Sequence, residues 1–156
     1  IFAAGAEEDV AAATPILKCM GTVHTTGQHL GEGQSIKVVN QHLCSVHLAA
    51  AAEALNLARS LGLDPAAVLS LIEKGAAGSW MLSDRGPRML AGTDVHVTST
   101  INIFVKDSGL VADAGASCGA QLPLLTIAHE RFCAAADMGL GLRDDSRVVE
   151  TWASRH

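Results

Sequence analysis

Residues Gly31–Gln41 read GEGQSIKVVNQ, and this stretch decides how the rest of the chain is interpreted. A dinucleotide-binding fingerprint, G-x-G-x-x-G, would need glycine where Ile36 stands. A phosphate-binding P-loop would need lysine directly after its last glycine, whereas Lys37 lies four residues beyond Gly33. The stretch meets neither pattern, and we interpret it as the start of a long helix into which the two glycines let the chain turn.

That helix is predicted to run from Ser35 to Leu61, because apolar residues recur along it at helical spacing and Gly62 follows. A polar stripe lies near its start, at relative positions 0, 3, 4, 7 and 10 on one helical face: Lys37, Asn40, Gln41, Cys44 and His47. A lysine this close to the positive end of the helix dipole is electrostatically unfavourable, and partial desolvation there would also favour loss of its proton. Lys37 is therefore a candidate general acid or base, with a solvated lysine of no chemical role as an equal alternative.

The composition of the 156-residue chain favours a globular, helical protein with one full domain, or one domain and part of another. Hydrophobic residues make up 49% and charged residues 17%, so we expect apolar surface to be buried between chains. The net charge of −5, without a run of basic residues, argues against nucleic acid or an anionic membrane as a partner. No apolar stretch approaches the ~20 residues of a membrane-spanning helix, so we expect a soluble chain.

The four cysteines are scattered, without a C-x-x-C pair, and we expect free, buried thiols in a reducing cytoplasm rather than disulfides. They are Cys19, Cys44, Cys118 and Cys133. The histidines form no H-E-x-x-H motif, so we predict no metal site. A G-x-S-x-G turn is also absent from the sequence, which makes acyl transfer from a serine a weak hypothesis.

The first thirty residues differ in pattern from the rest. Ile1–Ala4 predicts a strand, Glu7–Met20 a helix that must kink at Pro15 or begin later, and Thr22–Thr26 a second strand. Such a unit pairs in parallel and cannot bury a sheet face alone. We therefore expect residues 1–30 to be the last part of an α/β domain whose larger part is absent from this sequence.

Beyond residue 30 the pattern predicts helices only, separated by glycine and proline. After the long helix, the remaining helices are predicted over Asp64–Gly75, Ser79–Leu90, Thr100–Ser117, Pro123–Gly139 and from Asp144 onward. Gly86-Pro87 is expected to interrupt or bend the second of these. The predicted organisation is thus mainly α, with domains at residues 1–30 and 31–156.

The stretch Phe104–Leu110, FVKDSGL, is the second candidate for chemistry. Gly109 inside a helix costs about 1 kcal/mol relative to alanine, which favours close approach of a ligand or of another helix. Lys106 and Asp113 could form a pair that faces a ligand, or they could belong to a surface ion network. Spacing alone does not separate these alternatives.

Several stretches, taken in order, resemble the β-hydroxyacid dehydrogenase family, which includes 3-hydroxyisobutyrate, tartronate semialdehyde and sugar-acid dehydrogenases. The family pattern G-x-G-x-x-x-K-x-x-N-[N/Q] matches Gly31, Gly33, Lys37, Asn40 and Gln41. The other similar stretches are Ser79-Trp80, Arg85, Pro87–Leu90, FVKDSGL and Leu122–Leu124. The resemblance covers nearly the whole chain. Within the family, the sequence looks most similar to the branch that acts on four-carbon sugar acids such as L-threonate or D-erythronate.

The resemblance implies a Rossmann domain followed by an all-helical domain like the C-terminal domain of 6-phosphogluconate dehydrogenase. It implies that Lys37 is the catalytic proton donor or acceptor and that Asn40, Gln41 and Gly33 bind the substrate. Lys106, in the family's K-D-L-like segment, would approach the NAD or NADP cofactor, although Ser108 stands where leucine is usual. The implied reaction is oxidation of the hydroxyl of a small hydroxy acid, by a homodimer or homotetramer formed through the helical domain.

Three hypotheses follow from the sequence. In the first, the chain is a C-terminal fragment that holds the catalytic lysine but binds the dinucleotide poorly alone. In the second, it is a non-catalytic helical module for dimerisation, although it keeps Lys37 and Asn40 three residues apart. In the third, it belongs to another 6-phosphogluconate dehydrogenase-like enzyme, which would need a basic phosphate-binding cluster where only Arg85 and Arg88 lie close together.

Overall fold

The computed structural model describes residues 1–153, so the end of the predicted helical domain, residues 154–156, lies outside the described residues. Its strands and α-helices are β1 (Phe2–Ala4), α1 (Glu7–Lys18), β2 (His24–Gly27), α2 (Glu32–Ser60), α3 (Pro65–Ile72), α4 (Trp80–Leu90), α5 (Ile101–Cys118) and α6 (Pro123–Ala135). A π-helical turn (Ala136–Leu140) and a 3-10 helix (Asp145–Trp152) follow. The prediction of a mainly helical chain that begins with a small sheet is confirmed.

The N-terminal strand, helix and strand form the predicted parallel unit. Strand β1 pairs with β2 in parallel register, with Phe2 opposite His24 and Ala3 opposite Thr25. Helix α1 connects them; acidic residues occupy its first turn and Lys18 its last, as the helix dipole favours. Pro15 stays within α1, which is assigned as one helix from Glu7 to Lys18.

Helix α2 begins at Glu32, three residues before the predicted start. Gly33 is buried in its first turn, where an added Cβ would lie 2.6 Å from the carbonyl oxygen of Phe2. Glycine at this position therefore lets the helix start approach the backbone of β1, which is a packing requirement independent of any ligand. Because α2 starts earlier than predicted, Lys37 lies in its second turn.

The chain divides into two compact units, of which the first is Ile1–Gln41 and the second begins at His42. The division falls within α2, and the domain boundary predicted at residue 30 stays a prediction. In the second unit, the buried apolar residues come from α2 to α6 and the final 3-10 helix, among them Leu48, Leu55, Met89, Ile101, Phe132 and Val148. Phe104 of α5 packs against Phe132 of α6 with ring centroids 5.1 Å apart.

Three helices differ from their predicted form. Helix α4 continues without a break across Gly86-Pro87, so an interruption there is wrong, while the alternative of a bend stays a prediction. Helix α6 ends at Ala135, and the chain continues as a π-helical turn in which Gly139 has a φ of 82°, a left-handed conformation that ends the α-helical pattern. The last predicted helix is a 3-10 helix, whose start is capped by the Asp144 carboxylate accepting a hydrogen bond from the Ser146 N–H.

Candidate functional site

The start of α2 brings together three of the predicted site residues. The Lys37 ammonium donates a hydrogen bond to the Gln41 side-chain oxygen at 2.9 Å. The Asn40 side-chain amide donates to the same Gln41 oxygen at 3.3 Å. Gln41 therefore orients both a cation and an amide on one face of the helix, in agreement with the spacing predicted from the sequence.

This cluster can bind an oxygen-rich ligand. The Lys37 and Asn40 side chains are exposed, and Lys37 lines a cavity of about 370 Å³ together with Ile1, Phe2, Gly33 and Gln34. An ammonium and an amide N–H are suited to holding a carboxylate or a hydroxyl oxygen. Since Lys37 is exposed, the desolvation expected from the sequence is not provided by the described residues, and a bound ligand would have to supply it.

Lys106 lies on the exposed side of α5, with 67% of its side chain accessible, and its ammonium is 3.0 Å from the Asp107 carboxylate. The structure therefore pairs Lys106 with Asp107 rather than with Asp113. A solvent-accessible ammonium is able to contact a dinucleotide, so this residue fits the cofactor role that the resemblance implies. Spacing left open a ligand-facing pair with Asp113 or a surface ion network, and the exposed Lys106–Asp107 ion pair favours the second.

A buried ion network in the second unit was missed by the sequence reasoning. Arg85 of α4 donates two hydrogen bonds to Asp145, at 3.0 Å from Nε and 2.9 Å from Nη2, and Arg88 lies 2.8 Å from Asp144. Both arginines also contact Asp84, and the Thr98 N–H donates to Asp144 at 3.0 Å. The acidic side chains at 144 and 145 are fully buried.

The network sets the charge state of its members. Burial opposes ionisation of Asp144, but hydrogen bonds from Ser146 and Thr98 and the nearby Arg88 hold its pKa below the ordinary value. Burial raises the pKa of Asp145, against the effect of Arg85. Because carboxylates occupy both guanidinium groups, Arg85 and Arg88 do not form the free basic cluster that a phosphate site would need. The hypothesis of another 6-phosphogluconate dehydrogenase-like enzyme therefore loses the two arginines that the sequence offered for its phosphate site.

A second polar cluster connects α5 with α6. Ser108 is fully buried, and its hydroxyl lies 2.7 Å from His129 Nδ1 and contacts the carbonyl oxygen of Phe104. His129 Nε2 lies 3.5 Å from the Cys133 thiol. The four-residue spacing of His129 and Cys133 on one helix was a signal for this cluster that the sequence reasoning did not use.

Two negative observations apply to residues 1–153. Within them, no group of three or more His, Cys, Asp or Glu side chains is arranged to hold a metal ion. None of the helices described is both long and apolar enough to cross a membrane. All four cysteines are free thiols, but the expectation that they are buried is wrong, since Cys19 and Cys118 are exposed and the other two are partly buried.

Lys37, Asn40 and Gln41 thus share hydrogen bonds near the start of α2, and Lys106 is exposed on α5. The family model described as NAD-binding of NADP-dependent 3-hydroxyisobutyrate dehydrogenase matches residues 31–152. The chain therefore belongs to the 3-hydroxyisobutyrate dehydrogenase family, an oxidoreductase family that uses NAD or NADP, and the predicted resemblance is confirmed.

Among the relatives is L-threonate dehydrogenase of Cupriavidus necator, which is 41% identical over 143 residues, covering 92% of this chain and 46% of the relative. L-threonate dehydrogenase of Escherichia coli K12 is 34% identical over 98% of this chain and 51% of the relative. A crystal structure of 3-hydroxyisobutyrate dehydrogenase from Salmonella typhimurium has a TM-score of 0.87 at 34% identity, covering 94% of this chain and 52% of that one. The chain thus spans about half the length of the curated relatives it matches.

Proposed function

We propose that this chain forms the helical, catalytic part of an NAD- or NADP-dependent dehydrogenase that oxidises a small hydroxy acid. The observation that carries the proposal is the Lys37-Asn40-Gln41 cluster, which lies in the matched family region and beside a cavity. The relatives named L-threonate dehydrogenase favour a four-carbon sugar acid as the substrate, with a 3-hydroxyisobutyrate-like acid as the broader class.

In this mechanism, Lys37 in its neutral form accepts the proton of the substrate hydroxyl, and in the reverse direction it protonates the forming alkoxide. Asn40 donates a hydrogen bond to the substrate, and Gln41 keeps the lysine amine and the Asn40 amide aligned through its side-chain oxygen. Gly33 lines the same cavity as Lys37 and is proposed to contact the substrate through its backbone. The bound dinucleotide supplies the hydride acceptor.

Lys106 is proposed to contact the dinucleotide from α5. Its support is an exposed ammonium with a carboxylate partner at 3.0 Å, which leaves the other N–H donors of the amine for a ligand. We further propose that residues 1–30 belong to the nucleotide-binding domain and residues 31–156 to the all-helical domain of the 6-phosphogluconate dehydrogenase C-terminal type. Most of the dinucleotide contacts would then come from the nucleotide-binding domain rather than from residues 31–156.

Assembly into a homodimer or homotetramer through the helical domain is part of the proposal. Helices α5 and α6 each expose an apolar pair at helical spacing, namely Ile103 with Leu110 and Leu124 with Ile127. Exposed apolar stripes of this kind are typical of surfaces that associate. Light scattering of the purified chain gives the number of copies, and a monomer at all concentrations would contradict this part. A cytoplasmic location stays a prediction.

The activity is tested in a fusion that joins, before Ile1, the part of the Cupriavidus necator relative that this chain does not match. We expect the fusion to oxidise L-threonate, D-erythronate or 3-hydroxyisobutyrate with NAD or NADP, and the chain alone to be inactive. The control is the relative's part without this chain. A fusion that binds the dinucleotide but oxidises none of these acids would favour the non-catalytic dimerisation module.

A further inference from the structure

Helix α5 carries a buried hydrogen-bonding residue, Ser108, two positions after its exposed lysine, Lys106. Ser108 is 0% exposed. Its hydroxyl contacts the carbonyl oxygen of Phe104, one turn earlier, and lies 2.7 Å from His129 Nδ1 on α6. The turn from Phe104 to Ser108, which includes Lys106 and Asp107, is thus anchored on its buried side to a second helix.

The protons in this cluster can be assigned in one consistent order. A serine hydroxyl has a single proton, and here it is donated to the Phe104 carbonyl, so Ser108 must accept the Nδ1–H of His129. His129 Nε2 then carries a lone pair and accepts from the Cys133 thiol at 3.5 Å. Burial and the charge of Asp137 raise the pKa of Cys133, which keeps the proton that this order requires on the thiol.

We propose that Ser108 and His129 are positioning residues for Lys106, and the inference rests on the proposed function of that lysine. A serine that hydrogen-bonds the carbonyl four residues earlier changes the local bend of a helix. His129 fixes the serine rotamer from α6, so the pair sets the direction in which the Lys106 turn faces the solvent. This orientation would favour contact of the Lys106 ammonium with the dinucleotide.

The first test uses the chain itself and NMR with ¹⁵N labelling. We expect His129 to be the Nδ1–H tautomer, and Ser108→Ala or His129→Ala to shift the backbone amide signals of Lys106 and Asp107. Cys133→Ala is the matched control, because the Cys133 thiol lies 3.5 Å from His129 Nε2, whereas Ser108 lies against Nδ1. An Nε2–H tautomer, or amide signals of Lys106 that do not move in either variant, would overturn the proposal.

The second test measures kinetics in the fusion described above. We expect Ser108→Ala and His129→Ala each to raise KM for the dinucleotide about 2- to 10-fold, the effect of one lost hydrogen bond, with kcat nearly unchanged. The double variant should raise KM no more than the more severe of the two single variants does, because the two residues act as a pair. His129→Asn, which keeps an N–H donor near the Nδ1 position, should recover part of the loss.

The outcomes separate the two proposals. Additive effects of Ser108→Ala and His129→Ala, or a fall in stability with an unchanged KM, would show a merely structural pair and refute the positioning role. A parent fusion without dehydrogenase activity would refute the proposed function, while the NMR result on the chain alone would still decide whether the pair orients Lys106.

Discussion

Removing Arg85 is expected to be the most damaging single change in the ion network of the second unit. Arg85 donates to both carboxylate oxygens of Asp145, whose side chain is fully buried. The variant Arg85→Met keeps much of the volume of the arginine stem but leaves Asp145 without its guanidinium partner. The buried carboxylate would then have to be neutralised or exposed, because an isolated charge inside a protein is strongly unfavourable.

The magnitude follows from the burial of the pair. Breaking a buried ion pair by removing one partner costs about 3–5 kcal/mol, whereas a surface pair is worth about 0–1 kcal/mol. Asp145 is 0% and Arg85 11% exposed, so the pair belongs to the buried class. The double variant Arg85→Met with Asp145→Asn should recover much of the loss, since no charge is then buried without a partner.

Urea unfolding followed by circular dichroism measures the free energy of unfolding of each variant. The control is Arg143→Met, which removes an exposed arginine close in sequence to the network. We expect the control to change stability by less than about 0.5 kcal/mol. A loss below about 1 kcal/mol in Arg85→Met, or a double variant that is less stable than the single one, would refute the reasoning.

Three further predictions concern stability. Gly33→Ala should destabilise the chain by more than about 1 kcal/mol, because its Cβ would lie 2.6 Å from the Phe2 carbonyl oxygen; an unchanged unfolding midpoint in urea would contradict this. Gly109→Ala should stabilise it by about 0.5–1 kcal/mol, because the nearest atom to the new Cβ is His129 Cε1 at 3.8 Å, an ordinary contact; thermal unfolding checks the sign, and a lower midpoint would refute it. Because the pKa of Asp144 is lowered in the folded state, its ionised carboxylate stabilises the fold above the ordinary carboxyl pKa of about 4, and this stabilisation is lost as the pH falls below that value. In urea titrations, Asp144→Asn should therefore lose less stability between pH 5 and pH 3 than the parent. An equally steep loss in the variant would exclude this role.

Local signals were sufficient for most helices and for the N-terminal unit. Helix α3 begins at Pro65, directly after its N-cap Asp64, and α4 begins after its N-cap Ser79, as capping chemistry predicts, because those signals act within a few residues. The Lys37-Asn40-Gln41 cluster was predictable for the same reason, since helical spacing alone brings the three side chains together.

The missed features depend on residues far apart in sequence. Arg85 and Asp145 are separated by 60 positions, so only the packing of α4 against the final 3-10 helix brings them together. Ser108 and His129 meet because α5 packs against α6. Apolar periodicity predicts that each helix buries one face, but it does not predict which residues of the two helices come into contact. The π-helical turn was missed because the predicted fifth helix runs to Gly139, whereas α6 ends at Ala135, and apolar periodicity does not distinguish a π-helical turn from the last turn of an α-helix.

The central claim is that Lys37 transfers the proton of the substrate hydroxyl. Its most direct test is kcat for hydroxy-acid oxidation in the fusion, compared between Lys37→Ala and the control Lys18→Ala, which changes a lysine on α1. Loss of a general acid or base predicts a fall in kcat of about 10²- to 10⁴-fold for Lys37→Ala and no change for the control. A Lys37→Ala enzyme with the kcat of the parent would contradict the account.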